Sequence, residues 1–298
     1  MDRPSRANGR PVMAAWLITA GGFLIVMVVL VDIFYTLANP GRQGWMSRGV
    51  HKTTWVLSRR SAWSGPLAML GVIAVWGMLA ALGWALVYWP HMPDGFTFPE
   101  GSPGRHEPTF VEALYLSLVT ISTLGFGDVF PATDWLRIVN PLEALFGFAL
   151  LTVAVSWVLQ VYPALSRRRQ LALRLSALKR AGALEVLTEL DSAAAALLLN
   201  GLAADVIAAR VDLSDYAESY YFRENNKDAA LPAMMSFAVD LGKLGAASPH
   251  AEVRLCANLL LISVADFADV LGARFLRTRE ESPDFLASYA DDHRHGPN

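Results

Sequence analysis

The sequence Thr123-Leu124-Gly125-Phe126-Gly127-Asp128 sets two glycines at alternate positions, directly after an apolar stretch, Thr109 to Ile121. Thr109 and Glu112 have the spacing of a capping box, which marks a helix start. A helix of that length reaches about 20 Å, at 1.5 Å per residue. It enters a bilayer without crossing it. Non-helical backbone at that depth is tolerated only where it is buried in protein or lines a water-filled path. The expected form is therefore a re-entrant helix followed by a pore-lining strand. The chemistry available there belongs to the backbone. Gly125 and Gly127 have no Cβ and accept positive φ, so successive carbonyls can turn toward one axis.

The hexapeptide resembles the selectivity filter of the potassium channel superfamily, Thr-x-Gly-Tyr/Phe-Gly-Asp. The order of span, pore helix, filter and span is similar too, over about residues 64–163. The resemblance implies passive, potassium-selective conduction, with K+ as the permeant ion and no other cofactor. The backbone carbonyls of Thr123, Leu124, Gly125 and Phe126 would replace its hydration shell. Thr123 would add its hydroxyl at the inner end, while Leu124 and Phe126 pack behind the strand. Two positions depart from the family. Leu124 stands where Val or Ile is commoner. Val119 stands where some members have an acid, which leaves Tyr115 as a candidate partner for Asp128. One chain supplies one strand and an ion needs a ring, so a homotetramer is expected, as the family also implies.

By the same resemblance the third span lines the inner cavity. Gly147 falls at the family's hinge position, 20 residues past Gly127; a tight helix–helix contact is the other reading. Phe148, Leu151, Thr152, Val155 and Leu159 would then face the axis, with Val155 and Leu159 forming a hydrophobic constriction. The alternative to conduction with selectivity is a non-conducting or weakly selective channel-like membrane sensor or scaffold.

These residues need spans to hold them. Three windows are long and apolar enough: about Val12–Ala38, Pro66–Trp89 and Pro141–Tyr162. Asp32 is the one charge between Pro11 and Gly41, and Glu143 the one between Ile138 and Ser166. Asp32, an acid inside a span, is a functional candidate; the other reading places it near the inner interface, paired with Arg59, Arg60 or a base of another subunit. Glu143 is expected at the outer end of the third span, bracing the filter or solvated. Residues 42–60 and 167–180 carry Lys and Arg without Asp or Glu. Both are expected in the cytoplasm by the positive-inside rule, which puts the N-terminus outside. The segment Trp45 to Leu57 reads as a helix on the inner membrane surface. A single-pore layout suggests a plasma membrane, the inner membrane of a bacterium.

Residues 164–298 show helical periodicity without strand alternation. Helices are expected from Asp191 or Ser192 to about Arg210, again after Ser214, over Ala229–Ala246 and Pro249–Arg277, and from Pro283. The whole is an all-α membrane protein: three transmembrane helices with a re-entrant pore helix and filter, plus an all-α cytoplasmic domain. The parts are residues 1–63 (first span and linker), 64–163 (pore) and 164–298 (helical domain). Tyr216, Tyr220, Tyr221 and Phe222 are expected in the last part's core or on a packing surface, with a ligand pocket as the alternative. The tail with Asp291, Asp292, His293 and His295 is expected to be solvated rather than metal-binding. An unbroken basic helix, Arg167 to Arg180, would couple that domain to the constriction, or the domain would serve assembly.

The chain is 54% hydrophobic and 17% charged, with net charge −2 and one cysteine, Cys256. That excludes a disordered chain, a disulfide scaffold and a nucleic-acid binder with a basic surface. No catalytic constellation, voltage-sensor helix, Gly-x-Gly-x-x-Gly nucleotide site or EF-hand pattern occurs, and no pattern identifies a regulatory ligand.

Overall fold

The computed structural model describes residues 12–38, 44–58, 63–99, 109–275 and 285–294. Among these the helices run in order: α1 Val12–Ala38, α2 Trp45–Ser58, α3 Ser64–Tyr88, α4 Phe110–Ile121, α5 Asp134–Arg180, α6 Ala183–Val186, α7 Ser192–Asp215, α8 Leu231–Ala246, α9 Ala251–Arg274 and α10 Phe285–Arg294. Two short strands, β1 Phe96–Thr97 and β2 Phe130–Pro131, pair antiparallel with Phe96 opposite Pro131. They had no signal in the sequence.

Among the described residues, five helices are long and apolar enough to cross a membrane: α1, α3, α5, α7 and α9. The first three contain the expected windows. α7 and α9 join them by length and composition, although both carry several charged residues. α5 is 47 residues long and runs on past the third apolar window, which ends at Tyr162, as the basic run Arg167 to Arg180 leads one to expect. Pro163 has no N–H to give to the Leu159 carbonyl, yet the helix continues to Arg180. Leu171 and Leu175 bury one face of that continuation.

The chain divides into two compact units. Of the described residues, the first comprises 12–38, 44–46, 71–99 and 109–157; the second comprises 47–58, 63–70, 158–275 and 285–294. In the first unit α1 crosses α3 at a pair of glycines. A Cβ on Gly22 would stand 2.5 Å from the Gly83 carbonyl oxygen, so only glycine permits that approach. Asp32, in α1, is 1% exposed. Its carboxylate accepts from Trp76 Nε1 at 2.9 Å and from the Met46 N–H at 3.0 Å. Arg59 and Arg60, its expected partners, lie outside the described residues. Trp76, Trp84 and Trp157 are buried, whereas Trp16 and Trp63 are exposed.

The second unit is built around α7, α8 and α9. Its core takes Leu199, Leu202, Leu241, Leu260, Phe267 and their neighbours. Three consecutive arginines of α5 reach separate acceptors there. Arg167 Nε donates to Asp212 at 2.8 Å, Arg168 donates to the carbonyls of Ser219 and Phe222, and Arg169 pairs with Glu224. Ser47, His51 and Trp55 form the buried face of α2, one turn apart. The ring of His51 lies 5.3 Å from that of Tyr221, and Trp55 lies 6.0 Å from Tyr220.

Two expectations for this unit are corrected. No helix starts after Ser214; α7 runs to Asp215 and a 3₁₀ turn, Ala217–Tyr221, comes next. Burial of Tyr220, Tyr221 and Phe222 explains it, because a tight turn carries three large rings into the core. The tail is not solvated over its described part. α10 packs inward, with Tyr289 1% exposed and His293 5.0 Å from the Tyr220 ring. Tyr220 also donates to Asp292 at 2.6 Å. His295 lies outside the described residues. Burial pushes the Tyr220 hydroxyl above the ordinary tyrosine range, and Tyr221 up to about 12. It pushes His293 down to about 3, with Arg168 and Arg223 adding to the shift.

Candidate functional site: a short helix and a six-residue strand

α4 begins at the expected cap. The Thr109 N–H donates to Glu112 Oε2 at 2.8 Å, and the Thr109 hydroxyl bonds the same oxygen. The helix spans 12 residues, about 18 Å at 1.5 Å each. One carbonyl stitches its end to the strand beyond it. Val119 O accepts the N–H groups of Leu124 at 3.0 Å and Gly125 at 3.3 Å.

From there the backbone alternates. φ is +57° at Thr123, +58° at Gly125 and +73° at Gly127. Thr123 is a β-branched residue in a region L-residues avoid, and such strain persists only where the surroundings impose it. A Cβ at Gly125 or Gly127 would meet nothing within 4 Å, so dihedral freedom, rather than space, is what glycine supplies. The side chains of Leu124 and Phe126 are exposed in the single chain. Asp128 Oδ2 accepts from the Tyr115 hydroxyl at 2.7 Å, and Asp128 Oδ1 accepts the Val129 N–H. Tyr115 thus takes the place left by Val119.

The residues of α5 singled out from the sequence fall into two groups. Phe148, Leu151, Thr152, Val155 and Leu159 are all exposed, along one stripe of the helix. Gly147 is buried. A Cβ there would stand 1.9 Å from the carbonyl oxygen of Ile121, the last residue of α4. α5 passes through this position as unbroken helix, so Gly147 serves close packing against the end of α4.

Behind α4 lies a polar cluster that the sequence reading only grazed. Glu143 is fully buried. It accepts from the Tyr88 hydroxyl at 2.6 Å and from Ser117 Oγ at 2.5 Å. One turn earlier on α5, Asn140 Nδ2 donates to Thr120 Oγ1 at 3.1 Å. Ser117 with Thr120 and Asn140 with Glu143 are both i, i+3 pairs inside apolar segments. That spacing was the available signal for a polar seam.

Residues 72–162 match the family model described as ion channel. These residues are an ion channel pore domain. The uncharacterized membrane protein YdjJ of Bacillus subtilis (strain 168) is 23% identical over 160 residues, covering 51% of this chain and 46% of that protein. Two-pore potassium channel 5 of Arabidopsis thaliana is 44% identical over 48 residues, 16% of this chain and 12% of its own length. Two pore potassium channel c of Oryza sativa subsp. japonica is 34% identical over 88 residues, 28% of this chain and 18% of its own. The matches therefore cover less than half the length of each of these relatives. No solved structure matches the chain. The chain is a multi-pass membrane protein, and its ion channel domain belongs to a family of conduits rather than enzymes.

Proposed function

We propose that the chain is one of four identical subunits of a potassium-selective channel in a plasma membrane. Four copies about one axis bring four strands, Thr123 to Asp128, around the ion. K+ is bound by the carbonyls of Thr123, Leu124, Gly125 and Phe126 and moves down its gradient. The support for this reading is the alternation of positive φ at Thr123, Gly125 and Gly127, the backbone form that turns successive carbonyls to one side. The C-terminal end of α4 carries roughly half a negative charge, which favours a cation close by. Two of the relatives are named as potassium channels.

The same reading assigns the rest. α1, α3 and the first part of α5 cross the membrane, with the N-terminus outside and residues 164–298 in the cytoplasm as a helical domain. The exposed stripe from Phe148 to Leu159 lines the inner cavity, narrowest at Val155 and Leu159. Gly147 holds that stripe against α4. The leucine and phenylalanine exposed at 124 and 126 meet the neighbouring subunit.

Purified protein in liposomes tests the proposal. Under opposed K+ and Na+ gradients the reversal potential is expected near the K+ equilibrium value. A value near zero means a weakly selective cation path. No flux at all means a channel-like scaffold.

A further inference from the structure

We propose that Glu143 is a positioning residue for the filter: its buried carboxyl fixes the depth and tilt of α4, and through α4 the geometry of Thr123 to Gly127. The inference rests on the channel reading above and deepens it.

Three elements meet at this one side chain. Glu143 sits on α5; Oε2 takes the hydroxyl of Tyr88 at the end of α3, and Oε1 takes the hydroxyl of Ser117 in the middle of α4. Ser117 Oγ also lies 2.9 Å from the Ala81 carbonyl of α3. Asn140 adds a second rung to α4 through Thr120, and its amide reaches the Tyr88 hydroxyl at 3.4 Å. Both rungs lie within one turn of Val119, whose carbonyl holds the first two N–H groups of the filter strand after Thr123. A path of direct bonds thus runs from Glu143 through Ser117 and the α4 backbone to Leu124 and Gly125.

An acid is a costly choice for this place. Apolar packing alone could hold α4 against α5 (Gly147 and Ile121 already touch) but it would leave sliding along the helix axis weakly opposed. Hydrogen bonds are directional and fix the register. A buried carboxyl left without its partners is strongly unfavourable, so displacement of α4 is resisted. Glu143 is therefore placed to set filter geometry without touching the ion.

The test compares variants of the full chain in liposomes with size-exclusion profiles of the tetramer. Glu143→Gln keeps the shape, an acceptor for Tyr88 and a donor for Ser117, whose own hydrogen can then go to Ala81. It is expected to keep the K+-over-Na+ permeability ratio within about threefold of wild type, while Glu143→Ala lowers it about tenfold or more, the scale of one lost buried interaction. Ser117→Ala and Tyr88→Phe each remove one of the two hydroxyls on Glu143 and serve if Glu143→Ala fails to assemble; each is expected to lower the ratio, and less than additively in combination. An assembled Glu143→Ala protein with an unchanged ratio overturns the proposal, as does a Gln variant as damaged as the Ala variant. In the absence of an assembled Ala variant, unchanged ratios in Ser117→Ala and Tyr88→Phe overturn it. A wild type that carries no flux overturns the channel reading and this one with it; a conducting wild type with indifferent variants overturns this one alone.

Discussion

The hydroxyl of Tyr115 donates to Oδ2 of Asp128 across 2.7 Å, from the middle of α4 to the far end of the strand it precedes. Together with the bonds from Leu124 and Gly125 to Val119 O, it ties the strand to its helix at both ends. Tyr115→Phe removes the outer tie and little else, since the ring remains. We expect an assembled protein whose K+ current is less stable in time, with shorter openings in single-channel records. Openings of unchanged length would show that the inner tie is sufficient.

Gly147 permits a second close approach. In the folded chain its Cβ position is 1.9 Å from Ile121 O and 2.7 Å from the carbonyl carbon. These are backbone atoms and cannot rotate away, so Gly147→Ala must push α4 and α5 apart. Overpacking of this kind costs about 1–3 kcal/mol. A lowered Tm together with weakened flux is expected. A hinge without a packing role predicts the reverse: unaltered Tm and altered gating.

The glycines of the strand fail differently. Gly125→Ala and Gly127→Ala meet open space, so the cost is the dihedral strain of an L-residue at positive φ, roughly 1–3 kcal/mol. Either is expected to abolish selective flux while the tetramer still assembles, with a fall in Tm no larger than that strain gives. A large fall in Tm would mean that these positions are structural.

Much of this was legible beforehand, where local rules act alone. α1 has the bounds of its apolar window, and α4 starts at the Thr109–Glu112 cap. Positive φ was expected at both strand glycines and is there; that Thr123 shares it was not foreseen, because nothing in a threonine announces a left-handed backbone. The buried end of the chain was misjudged for a related reason. Charged residues at 291 and 292 suggest a solvated tail, but Tyr289 and His293 recur one turn apart and their partners, Tyr220, Phe267 and Trp55, come from distant sequence. The continuation of α5 was legible in the basic run Arg167 to Arg180, which holds no Gly or Pro, and the helix ends at Arg180. The spacing of Ser117 with Thr120 and Asn140 with Glu143 was visible, yet only the folded chain shows that the two pairs face each other.

His293 gives the second unit a pH dependence of known sign. Burial lowers its folded pKa to about 3, against an ordinary value of 6.5. Between these values the unfolded chain binds a proton that the folded chain refuses, so stability falls as pH drops below about 6.5, by up to about 1.4 kcal/mol per pH unit. His51, also lowered by burial, acts in the same direction. His293→Phe keeps an aromatic ring beside Tyr220 and Tyr289 and removes one of the two contributions. Thermal unfolding of the full chain at pH 7 and pH 5 is expected to show a smaller loss of Tm in the variant. Equal losses would mean that α10 detaches before the cooperative transition.

Whether α7 and α9 cross the membrane is decided by charge rather than length. α7 carries Asp205, Arg210 and Asp212, and α9 carries Arg254, Asp266 and Asp269. A charge at the centre of a span costs about 2.5–3.5 kcal/mol, and Arg210 and Asp266, 2.9 Å apart, each keep over two-fifths of their side chains exposed. Such a pair is at home in water. We therefore expect residues 164–298 to remain on one side, with the α8–α9 turn in the cytoplasm. In a Cys256→Ser background, cysteines at the exposed Asn226 and the half-buried Ser248 test this. An impermeant thiol reagent added to intact cells should miss both and label them after permeabilisation. It should also miss a cysteine at the exposed Thr53 and label one at Ser5. If α7 and α9 crossed, the connection between them would lie outside, and Asn226 and Ser248 would be labelled in intact cells while Thr53 was not.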